Sequence, residues 1–302
     1  MRQDAARAEV GALPVRDGAS FGPAGLAAAL LVDVMFALNV IAMKVVVDAT
    51  APFLSVALRM GAVFLLCAPA FRPVPGRNRM LMLYGLLNGG LFLLLMNVAL
   101  AMATNVGALA IAGQLSVPFS LVLGALIFGE RLSRRKMAGV LLAFAGVALL
   151  VFDPHIVSEI PAVLVMSAAA MTWGGGTLIQ RRLGGIGVMN IQAWNGLMGM
   201  VVLAPFALML ERPVIAGLGH VGGDAIGWFA FSCVGSTVVG QGALAWLLQR
   251  FPISTVMPLV LASPVMATIF ASLYFRTPIT PMMVAGGLLA LVGVAIVMLT
   301  KG

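Results

Sequence analysis

Apolar residues in this chain neither alternate with polar ones nor recur at a helical spacing. They run on, and the runs fall at 23–47, 52–70, 80–101, 104–128, 136–152, 160–180, 187–210, 224–249, 253–275 and 280–299. Each is close to the roughly 20 residues a helix needs to cross the hydrocarbon core of a bilayer. Unpaired backbone groups are so costly in lipid that only helices and closed barrels span it, and runs of this length predict helices. The segments between them are short and punctuated by proline: Pro52, Pro73, Pro75, Pro154, Pro213, Pro252 and Pro278. The pattern predicts an all-α integral membrane protein of ten transmembrane helices, with nothing outside the membrane large enough to fold alone.

Composition agrees. At 62% hydrophobic and 9% charged over 302 residues, the chain is far too apolar for a water-soluble domain. A net charge of +8 would suit nucleic acid if it were gathered on one surface. The basic residues lie instead in short segments between apolar runs, so they act as topology signals, and no nucleic-acid partner is expected. With the amino terminus inside, inward segments hold fourteen Lys and Arg, against Arg212 and Arg276 in outward loops. Both termini are therefore expected in the cytoplasm, with residues 1–22 a cytoplasmic tail lacking the apolar core of a signal peptide.

The stretch 106–151 recurs at 252–298. Pro118 aligns with Pro264 at an offset of 146 residues; after a one-residue insertion, 137–151 aligns with 284–298 with eight identities in fifteen positions. A repeat of this size sets an architecture. Ten spans divide into halves of five, 23–152 and 153–302, and five is odd, so consecutive copies cross the membrane in opposite senses. Inverted repeats are the hallmark of secondary transporters, whose substrate sites lie near the midplane between the halves. Channels are also built this way, and a channel-like facilitator or a membrane scaffold stays open on sequence alone.

Polar groups inside spans carry the chemistry, since each must face protein, water or substrate. Asp33 is the one acid deep within a span: it either couples a proton or contacts a cation, or is hidden in an intrahelical network. Tyr84 and Asn88 share a face of span 3, Gln114 precedes Pro118 by one turn, Trp173 stands beside three glycines, and Ser232, Ser236 and Gln241 lie in span 8. Singly, each amide suits an interhelical hydrogen bond of about 1 kcal/mol. Together they suggest a cavity of neutral donors, acceptors and aromatics, suited to a small zwitterionic or amphipathic solute. Pro118 and Pro264, at equivalent positions, are candidate hinges as well as candidate static kinks.

Other chemistries find little support. Cys67 and Cys233 lie in apolar runs without a CxxC, and His155 and His220 lie in loops, so no metal or cofactor is expected. No nucleophile has a base in evident reach. Gly217, Gly219 and Gly222 spell GxGxxG in a loop with no strand before it, and no P-loop is present.

FALNVIAMK (36–44), VALRM (56–60), and Pro118 followed by GERLS (129–133) resemble the drug/metabolite transporter superfamily, in particular its ten-span EamA-type members. Asn39, Lys44 and Arg59 match that family's opening motifs, whereas Phe36 and Ala37 replace its usual Trp-Gly and Arg276 stands where a Glu is usual. In style the chain is similar to the YddG-type amino-acid exporters. The resemblance implies a transporter in the bacterial inner membrane exporting small metabolites, most plausibly amino acids, by alternating access. It implies a small-molecule substrate, with proton coupling an open question. It also puts Asn39 among the substrate contacts and gives Arg59 two readings, a carboxylate contact or a structural group bonded to backbone.

Overall fold

The computed structural model describes residues 22–129, 132–251 and 253–300. Among these the chain forms, besides short helical turns at Pro154–Glu159, Arg212–Ala216 and Leu218–His220, ten long helical stretches and no strand. They are α1 (Pro23–Thr50), α2 (Pro52–Cys67, extended by a turn to Ala70), α3 (Asn78–Met102), α4 (Val106–Phe128), α5 (Arg134–Val151), α6 (Ile160–Arg182), α7 (Val188–Leu210), α8 (223–250), α9 (253–275) and α10 (Pro281–Leu299). Seven, α1 to α4, α6, α7 and α10, are long and apolar enough to cross a membrane. Of the others, α5 opens on Arg134, Arg135 and Lys136. The remaining two are interrupted: α8 by a π-helical stretch and α9 by a turn after Val260.

The interruptions come in pairs. Helices α3 and α8, third in each half of the chain, carry π stretches at Gly85–Phe92 and Phe231–Gly240. Helices α4 and α9 break just ahead of their prolines, α4 through a 3-10 turn at Gly113–Leu115 and α9 between Val260 and Ser263. The cause is local: Pro118 and Pro264 have no N–H to give to the carbonyls of Gln114 and Val260, and their rings crowd those carbonyls.

Packing shows the same pairing. α5 lies along α10 and α2 along α7, while α1 packs on α8 and α9 and α6 on α3 and α4. Exchanging the first five helices for the last five leaves these pairs unchanged, whereas the seam of α3 on α7 has only a slight counterpart between α8 and α2. The α5·α10 seam is closed by four glycines. A Cβ on Gly139 would come within 2.7 Å of the Gly293 carbonyl oxygen, and one on Gly146 within 2.5 Å of that of Gly286. As residue numbers rise along α5 they fall along α10, so the two helices are antiparallel. In α2·α7, Glu211 accepts from the N–H groups of Phe53 (3.0 Å) and Leu54 (2.7 Å), while Asn190 brackets the backbone of Arg72 at the other end, so that pair is antiparallel too.

Buried acids hold helix ends. Glu159 accepts from the amides of Thr104 (3.2 Å) and Asn105 (3.1 Å) and from the Thr104 hydroxyl at the start of α4. Asp153 accepts from the Thr280 hydroxyl, which itself caps α10 by accepting from Met283 N–H at 3.1 Å. A carboxylate there satisfies amides that have no partner within the helix and complements the helix dipole.

Candidate functional site

Arg59 lies two turns into α2, whose first turn Glu211 pins in place. It faces a small pocket completed by Met43 and Val46 of α1, Ser55 of α2, Asn97 of α3, and Phe229 and Ser232 of α8. Asn97 Nδ2 donates to Ser55 Oγ at 2.8 Å, and Ser232 Oγ donates to Asn39 Oδ1 at 3.0 Å. Nε and Nη1 of Arg59 and Oδ1 of Asn97 are buried and make no hydrogen bond among the described residues. Lys44, the other cation on this side, is satisfied by Asp48 at 2.7 Å. A guanidinium held in a membrane span with two nitrogens unbonded is costly, by a few kcal/mol or more. Nε–H and the Nη1 donors lie on different edges of the guanidinium plane, so each calls for its own acceptor, and charged acceptors bond such a group most strongly. The pocket's free volume is about 10 Å³, room for one water and for no organic solute.

The remaining sequence-predicted residues do not join this pocket, and the single broad cavity expected from the sequence is not what the described residues form. Tyr84 and Asn88 are buried in the seam of α3 with α6 and α7. A Cβ on Gly176 of α6 would come 2.3 Å from the Asn88 amide, and one on Gly89 would come 2.2 Å from the Asn195 carbonyl. Gly89 and Gly176 let the helices close on each other here. Trp173, 37% exposed, packs on Phe92 with ring centroids 4.8 Å apart. Gln114 and Pro264 line a separate groove between α4, α9 and α10. Pro118 is buried in α4, and the side chain of Gln241 lies outside the described residues.

Asp33 is 2% exposed; Lys44, on the same helix, pairs with Asp48, and the backbone of Ser263, on α9 beside Pro264, lies close to the Asp33 carboxylate. Its Oδ1 is buried without a hydrogen bond among the described residues.

Ser55 and Asn97, which complete the Arg59 pocket, were not singled out from the sequence. Their only signal is polarity within an apolar run, which they share with many residues that serve packing. The helix-capping acids Glu159, Asp153 and Glu211 read from sequence as loop residues.

The sequence model of the EamA-like transporter family matches this chain twice, over residues 23–152 and 160–299. A "Probable amino-acid metabolite efflux pump" of Salmonella typhimurium is 28% identical over 284 residues, 89% of this chain and 92% of that protein. The Escherichia coli protein of the same description is 27% identical over 280 residues, again 89% of this chain and 92% of its own length. A solved crystal structure superposes with a TM-score of 0.55 at 20% identity, covering 89% of this chain and 94% of that one. This last likeness bears on the fold.

Proposed function

The chain belongs to the EamA-like transporter family, an integral membrane transporter rather than an enzyme, with bacterial relatives that fit an inner-membrane location; on that premise we propose that it exports small zwitterionic metabolites of the amino-acid class, and that Arg59 binds their carboxylate. The observation that carries this reading is the unbonded guanidinium of Arg59 in a pocket of neutral donors and acceptors, Ser55, Asn97 and the Asn39–Ser232 pair. One cation among neutral groups suits a single carboxylate and is too little for a polyanion. The description of the Salmonella and Escherichia coli relatives as probable amino-acid metabolite efflux pumps points the same way.

Our architecture for this activity is ten spans in two inverted five-helix halves, 23–152 and 153–302, with both termini inside. The antiparallel packing of α5 on α10 and of α2 on α7 supports it, because these helices are equivalents in the repeat and an antiparallel pair of equivalents needs a two-fold axis across the helices. Alternating access then follows as an exchange of conformation between the halves. Purified protein in liposomes, tested for counterflow against the common amino acids with and without a pH gradient, checks the reading. Saturable counterflow of at least one amino acid is expected. Linear, unsaturable flux would make the protein a channel, and no flux of any amino acid would overturn the substrate class.

A further inference from the structure

Beside the seam of α5 on α10, where α5 begins, lies a surface groove of about 660 Å³. Val292, Ala295, Ile296 and Leu299 of α10 form its wall, and Thr300 and Arg135 of α5 complete it. The four apolar residues recur at helical spacing and make one stripe about 10 Å long. That is roughly two thirds of the hydrocarbon depth of one leaflet. The stripe is open to its surroundings, with Val292 49% and Leu299 56% exposed. Gly139, one turn after Arg135 on the same face of α5, brings the two helices close at this point, since a Cβ there would come 3.1 Å from Ile296 Cγ2. Arg135 therefore stands at the end of the stripe. It is exposed and, among the described residues, makes no ion pair.

Any phospholipid could lay a chain on the stripe, so the cation decides which one is held. Basic residues in inward segments set orientation, but that explains the side of the membrane and not a place at the mouth of a groove. The repeat supplies a comparison within the molecule. Ser133 and Thr280 cap α5 and α10 in the same way, each accepting from the N–H three residues on, so they extend the offset of 147 residues. At that offset Ala148, Leu149 and Phe152 repeat the apolar wall of Ala295, Ile296 and Leu299. The charge is not repeated: Arg134, Arg135 and Lys136 have Pro281, Met282 and Met283 as equivalents, and Thr300 has Asp153. Of two equivalent stripes at opposite ends of an antiparallel pair, one ends in cations and the other does not.

We propose that the groove of Arg135 and α10 binds one phospholipid with an anionic head group, its phosphate at Arg135 and an acyl chain along 292–299. A zwitterionic head group carries its own ammonium, which offsets the attraction, so the site selects by net head-group charge. Arg134 and Lys136, in the same first turn of α5, strengthen the field at that end. On the topology proposed above this is the cytoplasmic leaflet, whose anionic lipids draw basic segments; the inference rests on that topology only for the choice of leaflet.

Phosphatidylglycerol and phosphatidylethanolamine with the same acyl chains test the assignment, because they differ in net charge. Each is titrated onto the full-length delipidated protein in a neutral detergent, and bound lipid is counted by native mass spectrometry. Wild type should take up its first phosphatidylglycerol about fivefold more tightly than its first phosphatidylethanolamine, the factor one cation beside a lipid surface supplies. Arg135→Gln, at an exposed position that packing does not depend on, should bring the two lipids to equal affinity. Arg79→Gln removes the same charge from an exposed position on α3 and should keep the preference. Glycerol 3-phosphate, a head group without chains, should not displace the lipid even in large excess. No preference in wild type, or a preference kept by Arg135→Gln, overturns the proposal. So does an equal loss in both variants, which would make the effect one of overall charge, and so does displacement by glycerol 3-phosphate, which would make the site one for soluble anions. No transport is measured, so failure here leaves the Arg59 reading intact.

Discussion

Gly139 of α5 and Gly293 of α10 face each other so closely that a Cβ on either would lie 2.7 Å or less from the other's carbonyl oxygen. Gly146 and Gly286 repeat the contact further along, with 2.5 Å in both directions. In the repeat Gly139 corresponds to Gly286 and Gly146 to Gly293, so exchanging the halves maps each contact onto the other. This seam is where the duplicated units meet as equals. Small residues are what membrane helices use to bring backbones together in the absence of a hydrophobic driving force.

Gly146→Leu should therefore be among the most destabilising changes in the chain, by about 1–3 kcal/mol or more, since the new side chain meets backbone that cannot turn away. Gly242→Ala, where an added Cβ has nothing within 4 Å, is the control and should be neutral. Thermal unfolding of both variants in the same detergent checks this, and equal melting temperatures would contradict the seam.

Glu211→Gln removes the charge that holds the first turn of α2. The amides of Phe53 and Leu54 would keep only a neutral acceptor, at a cost of about 1 kcal/mol. Because Arg59 lies on that helix, the transport rate should fall along with stability. Hydrogen exchange at Phe53 and Leu54 is the direct readout and should quicken in the variant.

We propose Asp33, buried on α1 close to the Ser263 backbone beside Pro264, as the place where a proton is linked to helix movement. Asp33→Asn keeps the shape and removes the titration. If transport depends on a pH gradient, the variant should lose that dependence while retaining counterflow. A retained dependence would assign the proton elsewhere.

Pro118→Ala and Pro264→Ala restore a backbone donor at each break. Either should slow transport several-fold while changing substrate affinity by less, because a straightened helix resists the exchange of conformations without touching the ligand. Equal effects on rate and affinity would make the prolines fixed kinks.

Much of the frame was legible in the sequence. The runs at 23–47 and 280–299 became α1 and α10, and the repeated stretch became the helix pairs α4–α5 and α9–α10. The site was less legible. Asn88 and Tyr84 read as cavity residues because polar side chains in a span must face something; Asn88 lies against Gly176 and Tyr84 packs with Leu183, Ile191 and Trp194, neighbours that only the fold supplies. Asn97 carries no such signal, since its partner Ser55 is 42 residues away and only the fold brings them together. Arg59 was legible because a guanidinium in a span is rare enough to demand an explanation whatever surrounds it.

The most direct test of the central claim compares Arg59→Gln and Arg59→Lys in counterflow, with an amino acid carried by the wild type and its carboxamide as competitor. If Arg59 binds the carboxylate, the amide competes poorly with wild type. Arg59→Gln should then lose affinity for the acid by about tenfold or more, the worth of a charge-assisted bond, and cease to discriminate acid from amide, with Arg59→Lys falling between. Wild-type discrimination persisting in Arg59→Gln would contradict the account.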